Sequence, residues 1–363
     1  MKIKYYLIPL LLGLLVFNTS LIQALSVDLN SSVKIKGDVR LRLQQEQIGD
    51  STYRNRHRLR LRVGSHFKVS DQTNFHLGLA SGGDDPRSTN QTYQDSFETT
   101  DIRLDYAYIE QTFGKKWTFL GGKIKNPIWR TSDLLWDSDI NPEGYSIKYN
   151  TNVNKDLTMF ITSGLLILDE IEADTHDPYL WALQSGSTFQ FNNNTKATAA
   201  LSAYYTTNLK GVTFEHTAKT NTGHTTGLDD DFNVIALSSN IAFSHVGPFE
   251  MVSPFGEVLI NTKQTHSNKG GIVGVKFGHQ KVKGAKTWQS TISYRILATN
   301  AWLDIFPDSD SYGGATNIEG LELVVKYGVT TTSYMAIDLY SMNKLNGPKN
   351  NETLVQLDYN LQF

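Results

Sequence analysis

Five arginines near the start of the chain stand at a spacing of two: Arg40 and Arg42, then Arg58, Arg60 and Arg62. A guanidinium keeps its charge at every physiological pH and presents a rigid fork of donors. A row of them can bind or steer anions, or set the field along a passage. A later loop carries the opposite charge in Asp133, Asp137, Asp139 and Glu143, mixed with Trp129, Leu134, Leu135 and Trp136. Long ordered loops are often functional, and one with this much apolar surface is expected to fold inward, anchored by its Trp and Leu side chains. Its carboxylates would then face the arginines. A cationic wall opposite an acidic loop makes a transverse field that orients charged and dipolar solutes. An outward cap with incidental acids is the alternative.

A spacing of two is the period of a β-strand, whose successive side chains point to opposite faces. In Val33–Gln45 the face Val33, Ile35, Val39, Leu41 and Leu43 opposes Lys34, Lys36, Arg40 and Arg42. In His57–Phe67 the face Leu59, Leu61, Val63 and Phe67 opposes Arg58, Arg60, Arg62 and His66. One arginine facing lipid at mid-bilayer costs about 2–4 kcal/mol, so two or three per strand must face water. Neighbouring strands bring the five arginines together, with Arg103 and Arg295 as candidate additions. A solvated face of a soluble sheet is the competing explanation. It would need a helix or second sheet to cover the other face, and no candidate for one is evident.

Segments of this kind recur along the chain about sixteen times, from Val33–Gln45 to Thr353–Phe363. Short connections such as Lys68–Thr73 and Phe113–Lys116 alternate with long ones such as Gly82–Thr100, Ile124–Glu143, Thr206–Asp231 and Thr299–Gly320. Short turns on one side and long loops on the other are the layout of a transmembrane antiparallel up-and-down β-barrel. The expected fold class is therefore all-β, with about 16 strands. Because Val246–Phe255 is ambiguous, fourteen or eighteen are also compatible.

The two ends of the chain agree with this layout. In the last segment Val355, Leu357, Tyr359, Leu361 and Phe363 share one face, while Gln356, Asp358, Asn360 and Gln362 share the other. A closing strand ending in Phe resembles the signal by which bacterial outer-membrane barrels are recognised for assembly, which assigns that role to Tyr359, Leu361 and Phe363. At the other end Lys2 and Lys4 precede an apolar run from Tyr5 to Phe17, followed by small residues at Ala24 and Ser26. This is the order of a secretory signal peptide, too short for a spanning helix. The reading is a signal peptide over 1–26, with cleavage after 24 as the alternative, and a barrel domain over 27–363.

Composition narrows the function. Mean hydropathy is negative and no stretch past the leader approaches 18 consecutive apolar residues, so helical spans are excluded. Phe 17, Tyr 17 and Trp 6 suit the aromatic girdles of a barrel. Cys 0 leaves no disulfide framework and no thiol chemistry. A net charge of -2 argues for no nucleic-acid partner. No hydrolase, zinc-protease or phosphate-loop motif is present, so no enzyme and no cofactor is expected. Asp308, Asp310, Gly313 and Glu319 follow a calcium-loop spacing that Tyr312 breaks. His57 and His66 have opposite parity, and a metal site using either with His76 is disfavoured.

The stretch Gly122–Gly144, G-K-I-K-N-P-I-W-R-T-S-D-L-L-W-D-S-D-I-N-P-E-G, resembles a loop of the bacterial putative-porin family, with its G-K-x-x-N-P…D-L-x-W-D…N-x-E-G run. Trp288–Gly320 is similar to a second segment of that family. The resemblance extends from about Val33 to Phe363. It implies a single-chain outer-membrane porin, forming a water-filled channel for passive diffusion of small hydrophilic solutes. A channel selective for anionic solutes is the second reading, and a barrel enzyme or adhesin the third. The implied partners are outer-membrane lipid and the barrel-assembly machinery. A homotrimer could seat on a patch of small residues such as Ala197, Ala199 and Ala203.

Overall fold

The computed structural model describes residues 32–172 and 176–363; the expected signal segment lies outside them. The first strands are β1 (Val33–Ile48), β2 (Arg54–Lys68), β3 (Thr73–Ser81) and the two-residue β4 (Gln91–Thr92). There follow β5 (Ile102–Phe113), β6 (Trp117–Lys123), β7 (Glu143–Asn152), β8 (Leu157–Ile167) and β9 (Tyr179–Asn192). The next are β10 (Thr195–Thr207), β11 (Asn233–Val246), β12 (Phe249–Asn261) and β13 (Lys269–Gly278). The chain ends with β14 (Trp288–Leu297), β15 (Ile318–Gly328), β16 (Ser333–Lys344) and β17 (Glu352–Gln362).

Every strand pairs antiparallel with its sequence neighbour, except that β3 pairs directly with β5 while β4 pairs only with β2. β17 returns to β1, with Leu41 opposite Tyr359 and Arg42 opposite Asp358. The wall is thus a closed ring of sixteen strands, and closure removes the unpaired edges an open sheet would expose. The ambiguous segment resolves at Gly247, whose φ of 57° makes the turn into β12.

The two faces invert the pattern of a soluble protein. Leu41, Leu43, Ile147, Leu183, Leu201, Leu237 and Leu321 lie exposed on the outside. Arg42, Gln44, Gln356, Asp358 and Asn360 are buried on the inside. This suits lipid outside and a polar lumen within.

The lumen also holds an apolar nucleus. Loops 124–142, 208–232 and 298–317 leave the long-loop rim and turn inward, where Leu134, Leu135, Trp136, Leu209, Leu228, Trp302, Leu303 and Phe306 are buried against Tyr204 of β10. The Trp136 ring lies 5.8 Å from Trp302 and 4.4 Å from Phe306. Trp302 Nε1 donates to the carbonyl of Leu135. Each large apolar side chain removed from water contributes about 1.5–3 kcal/mol, enough together to hold the loops in place.

Two glycines set where loop 124–142 leaves and rejoins the wall. Gly122 on β6 and Gly144 on β7 are direct partners, with φ of 125° and 140°. A Cβ at Gly144 would sit 2.2 Å from the carbonyl oxygen of Leu165, and one at Gly122 would sit 2.4 Å from that of Ala107. Only glycine allows both the dihedral and the close backbone approach.

Candidate functional site

The register of β1 and β2 places Arg40 opposite Arg60 and Arg42 opposite Arg58. Like charges facing each other across a sheet repel, so the wall holds only if acids interleave. Asp38 accepts from Arg60 at 2.7 Å and from Arg62 at 2.9 Å. Asp358 takes the fork of Arg42, from Nε at 2.7 Å and Nη2 at 2.9 Å. The third donor of Arg42, Nη1, reaches Asp310 at 2.9 Å. Arg40 lies 3.6 Å from Asp358 and also donates to Asn90. Arg58 has only neutral partners, Gln44 at 3.1 Å and Ser88 at 3.3 Å. Arg54 and Arg56 continue the row beyond the expected strand start. Arg56 pairs with Glu46.

The four acids of the expected constriction loop separate. Asp139 reaches the arginine wall, 3.0 Å from Arg62, and accepts from both the backbone and the hydroxyl of Thr89. Asp133 points away from it to Arg295, at 3.0 Å. Asp137 is buried and accepts from the backbone N–H groups of Asp139 and Ser309, each at 2.8 Å. Burial, with the Asp139 charge beside it, outweighs those two bonds and pushes the Asp137 carboxyl up to about 8. Glu143 opens β7 on the outer side, exposed and paired with Lys123 at 2.8 Å. It has the parity of Tyr145, which faces outward, so it cannot reach the lumen.

Loop 298–317 brings the acid that sequence reading did not assign to the wall. Burial opposes the charge of Asp310, yet Arg42 and Arg40 hold its carboxyl below the usual range. Asp308, buried and close to Asp133, is pushed well above it. Asp308 lies 3.3 Å from Arg295, which is 1% exposed and also pairs with Glu322. Arg295 therefore belongs to a separate acidic cluster. Arg103 is exposed and pairs with Asp101 at 3.3 Å. The loop before β4 completes the contact: Arg87 donates to the carbonyl of Asp304, and Ser309 donates to that of Arg87.

Two cavities meet the wall from opposite ends. One of about 280 Å³ on the long-loop side is lined by Arg54, Arg56, Arg58, Arg87, Asp85 and Asp310. One of about 460 Å³ on the short-turn side is lined by Lys34, Lys36, Asp38, Arg62, His66 and Lys125. Arg40, Arg42 and Arg60 lie between. Such an arrangement can order ions and dipoles. The carboxylates of the calcium-like spacing diverge: Asp308 to Arg295, Asp310 to Arg42, and Glu319 to Lys349. Among the described residues, Asp84, Glu215 and His216 bring ligand atoms within 4.8 Å of one another on the long-loop side. Asp84 and Glu215 are exposed there, where acids often gather without an ion.

The sequence profile of the family described as putative porin matches residues 47–243 and 213–363. No curated protein matches the chain. Among solved structures, OprB of Pseudomonas putida superposes with a TM-score of 0.62 at 13% identity, covering 92% of this chain and 95% of that one. OmpF of Salmonella typhi gives 0.55 at 11% identity, over 91% and 97%. The trimer form of OmpT of Vibrio cholerae gives 0.53 at 14% identity, over 92% and 100%. At these identities the likeness is one of fold.

Proposed function

The chain belongs to the putative-porin family of bacterial outer-membrane β-barrels, and from that premise we propose that it is a porin for passive diffusion of small hydrophilic solutes. The observation that carries this reading is the meeting of wall and loops inside the barrel, through Arg62 with Asp139 and Arg42 with Asp310. In a low-dielectric wall these charges act on a passing solute far more strongly than in bulk water. Acids balance most of the wall, which favours a passage that orients dipoles over one that retains ions.

The test is single-channel conductance of the refolded protein in a planar bilayer, with reversal potential under a salt gradient. Stable ohmic steps with weak ion preference are expected. No conductance from a folded barrel would overturn the reading. One observation favours the second reading, a channel for anionic solutes: Arg58 borders the outer cavity with no carboxylate partner. Strong anion preference, lost in Arg58→Gln, would establish it.

Two partner roles follow. The outward face of β17, with Tyr359, Leu361 and Phe363, is the proposed signal to the assembly machinery; Phe363 exchanges two backbone bonds with Gly37. The proposed homotrimer seat is the outward patch of Ala197, Ala199 and Ala203 on β10, where Ala199 lies between Ser187 on β9 and Ser239 on β11. Serine hydroxyls gain nothing from hydrocarbon, and small side chains let another barrel approach closely.

A further inference from the structure

On the lumen side of β14, Gln289 stands opposite Lys326, Thr291 opposite Lys276, and Ser293 opposite Glu322. This sector of the wall, separate from the arginines, therefore runs from two lysines on the short-turn side to a carboxylate on the long-loop side. Asp133 of loop 124–142 joins the upper end, and the whole borders a cavity of about 150 Å³. Among the described residues neither lysine has a carboxylate or a hydrogen-bond partner, and the one charge acting on Lys276 is that of Lys326. The upper end has the opposite excess. Asp133, Asp308 and Glu322 share the single guanidinium of Arg295, so that cluster stays negative even with Asp308 neutral. One oxygen of Asp133 accepts from Arg295. The other has no partner, and the side chain is 33% exposed.

Like charges beside a low-dielectric wall repel unless a counter-charge sits between them. A simple anion would answer the lysines alone, and a simple cation the acid alone. A solute carrying both charges answers both ends at once. We propose that this cavity is a binding station for small zwitterionic amino acids. The solute carboxylate accepts from Lys276 and Lys326, and its ammonium donates to the free oxygen of Asp133. Charge-assisted hydrogen bonds of this kind are roughly twice as strong as neutral ones. Along β15, Glu322 and Lys326 lie four residues apart, a rise of about 13 Å. The long lysine side chains and the loop acid narrow that gap to the length of such a solute. Phe255, Ile272 and Val324 border the same cavity and give a short side chain an apolar flank. The station deepens the porin reading and rests on it for the solute's way in and out.

The test is saturation-transfer NMR on the full refolded chain in detergent at low salt, with L-alanine as probe beside two analogues of its shape. Isobutyrate replaces the ammonium by a methyl group, and isopropylamine replaces the carboxylate by one. Alanine is expected to bind saturably, and each analogue about tenfold more weakly. Lys276→Gln and Lys326→Gln should each weaken alanine by about the same factor. Asp133→Asn should weaken alanine and leave isobutyrate unchanged, a split that a merely structural role would not produce. Lys148→Gln, on β7 outside the cavity, should change nothing. No saturable binding of alanine by the unaltered chain overturns the proposal. So does isobutyrate binding as tightly as alanine, which would leave an anion site only. Should Asp133→Asn fail to fold, the three probes on the unaltered chain decide alone. Binding is read without conductance, so a chain that conducts but ignores alanine refutes only the station. One that binds alanine but does not conduct refutes only the porin reading.

Discussion

Arg42 is the residue on which the wall depends most. Its guanidinium is buried with both carboxylate partners, Asp358 and Asp310. Removing one partner from a buried ion pair leaves an uncompensated charge, at a cost of about 3–5 kcal/mol. Because Asp310 would remain, Asp358→Asn should fall at the low end, about 3 kcal/mol, read from urea unfolding in detergent. An unchanged midpoint would mean the pair is solvated. Asp137 makes the opposite kind of prediction. Its folded carboxyl is raised to about 8, so the folded state holds a proton that the unfolded chain releases near the ordinary value of about 4. The stabilisation is fully present below about pH 4 and is lost as pH rises through about 8. Loop 124–142 should therefore become more open to protease as pH rises from about 4 to about 8, and change little above that. Asp137→Asn, a mimic of the protonated form, should flatten that dependence; a variant with the slope of the parent would refute the assignment. The four loop acids were visible in the sequence as a group. Their separation was not: Asp133, Asp137 and Asp139 sit on irregular backbone, which carries no parity, while Glu143 opens β7.

At the scale of elements, the strands and the loops were legible to different degrees. The closing strand is observed at Glu352–Gln362, one residue from the predicted Thr353–Phe363 at each end, because its period-two alternation is unbroken. β1 and β2 run further, to Ile48 and from Arg54, and for that reason Arg54 and Arg56 were missed: at the rim, polar residues occupy both faces. The inward course of loop 124–142 rests on Trp136, packed between Tyr204, Trp302 and Phe306. Trp136→Ala removes that anchor, a change that costs about 3–5 kcal/mol in packed cores. The expected results are rapid proteolysis within 124–142 and noisier, larger conductance steps, with the barrel still resistant to heat in detergent. A loop as protected as before would place its anchor elsewhere.

For the whole molecule, one closed sheet solves two problems at once: it pairs every wall strand and separates lipid from the charged interior. Outside, few features distinguish one sector from another except the small side chains of β9 to β11. If Ala199 meets a second copy, Ala199→Trp should convert cross-linked trimers to monomers without lowering the heat resistance of the barrel. Trimers that persist would place the contact on another sector. Inside, charge balance is local. Asp38 and Asp358 interleave with the arginines on the wall itself, and loops add Asp139 and Asp310 from above.

The chain by itself determined its fold class, its two faces and its compartment, because period-two alternation and turn chemistry are local and survive without any partner. Family membership was also legible, through the run bounded by Gly122 and Gly144, whose glycines prove to be backbone partners at the mouth of the loop. Only the tertiary structure decided which acid meets which arginine. Arg42 is separated from Asp310 by 268 residues and from Asp358 by 316, and such pairings depend on the register summed around the closed ring. The same holds for Lys276 and Lys326: their parity can be counted along the chain, but that they border one cavity with Asp133 follows only from how β13, β14 and β15 align and where loop 124–142 folds.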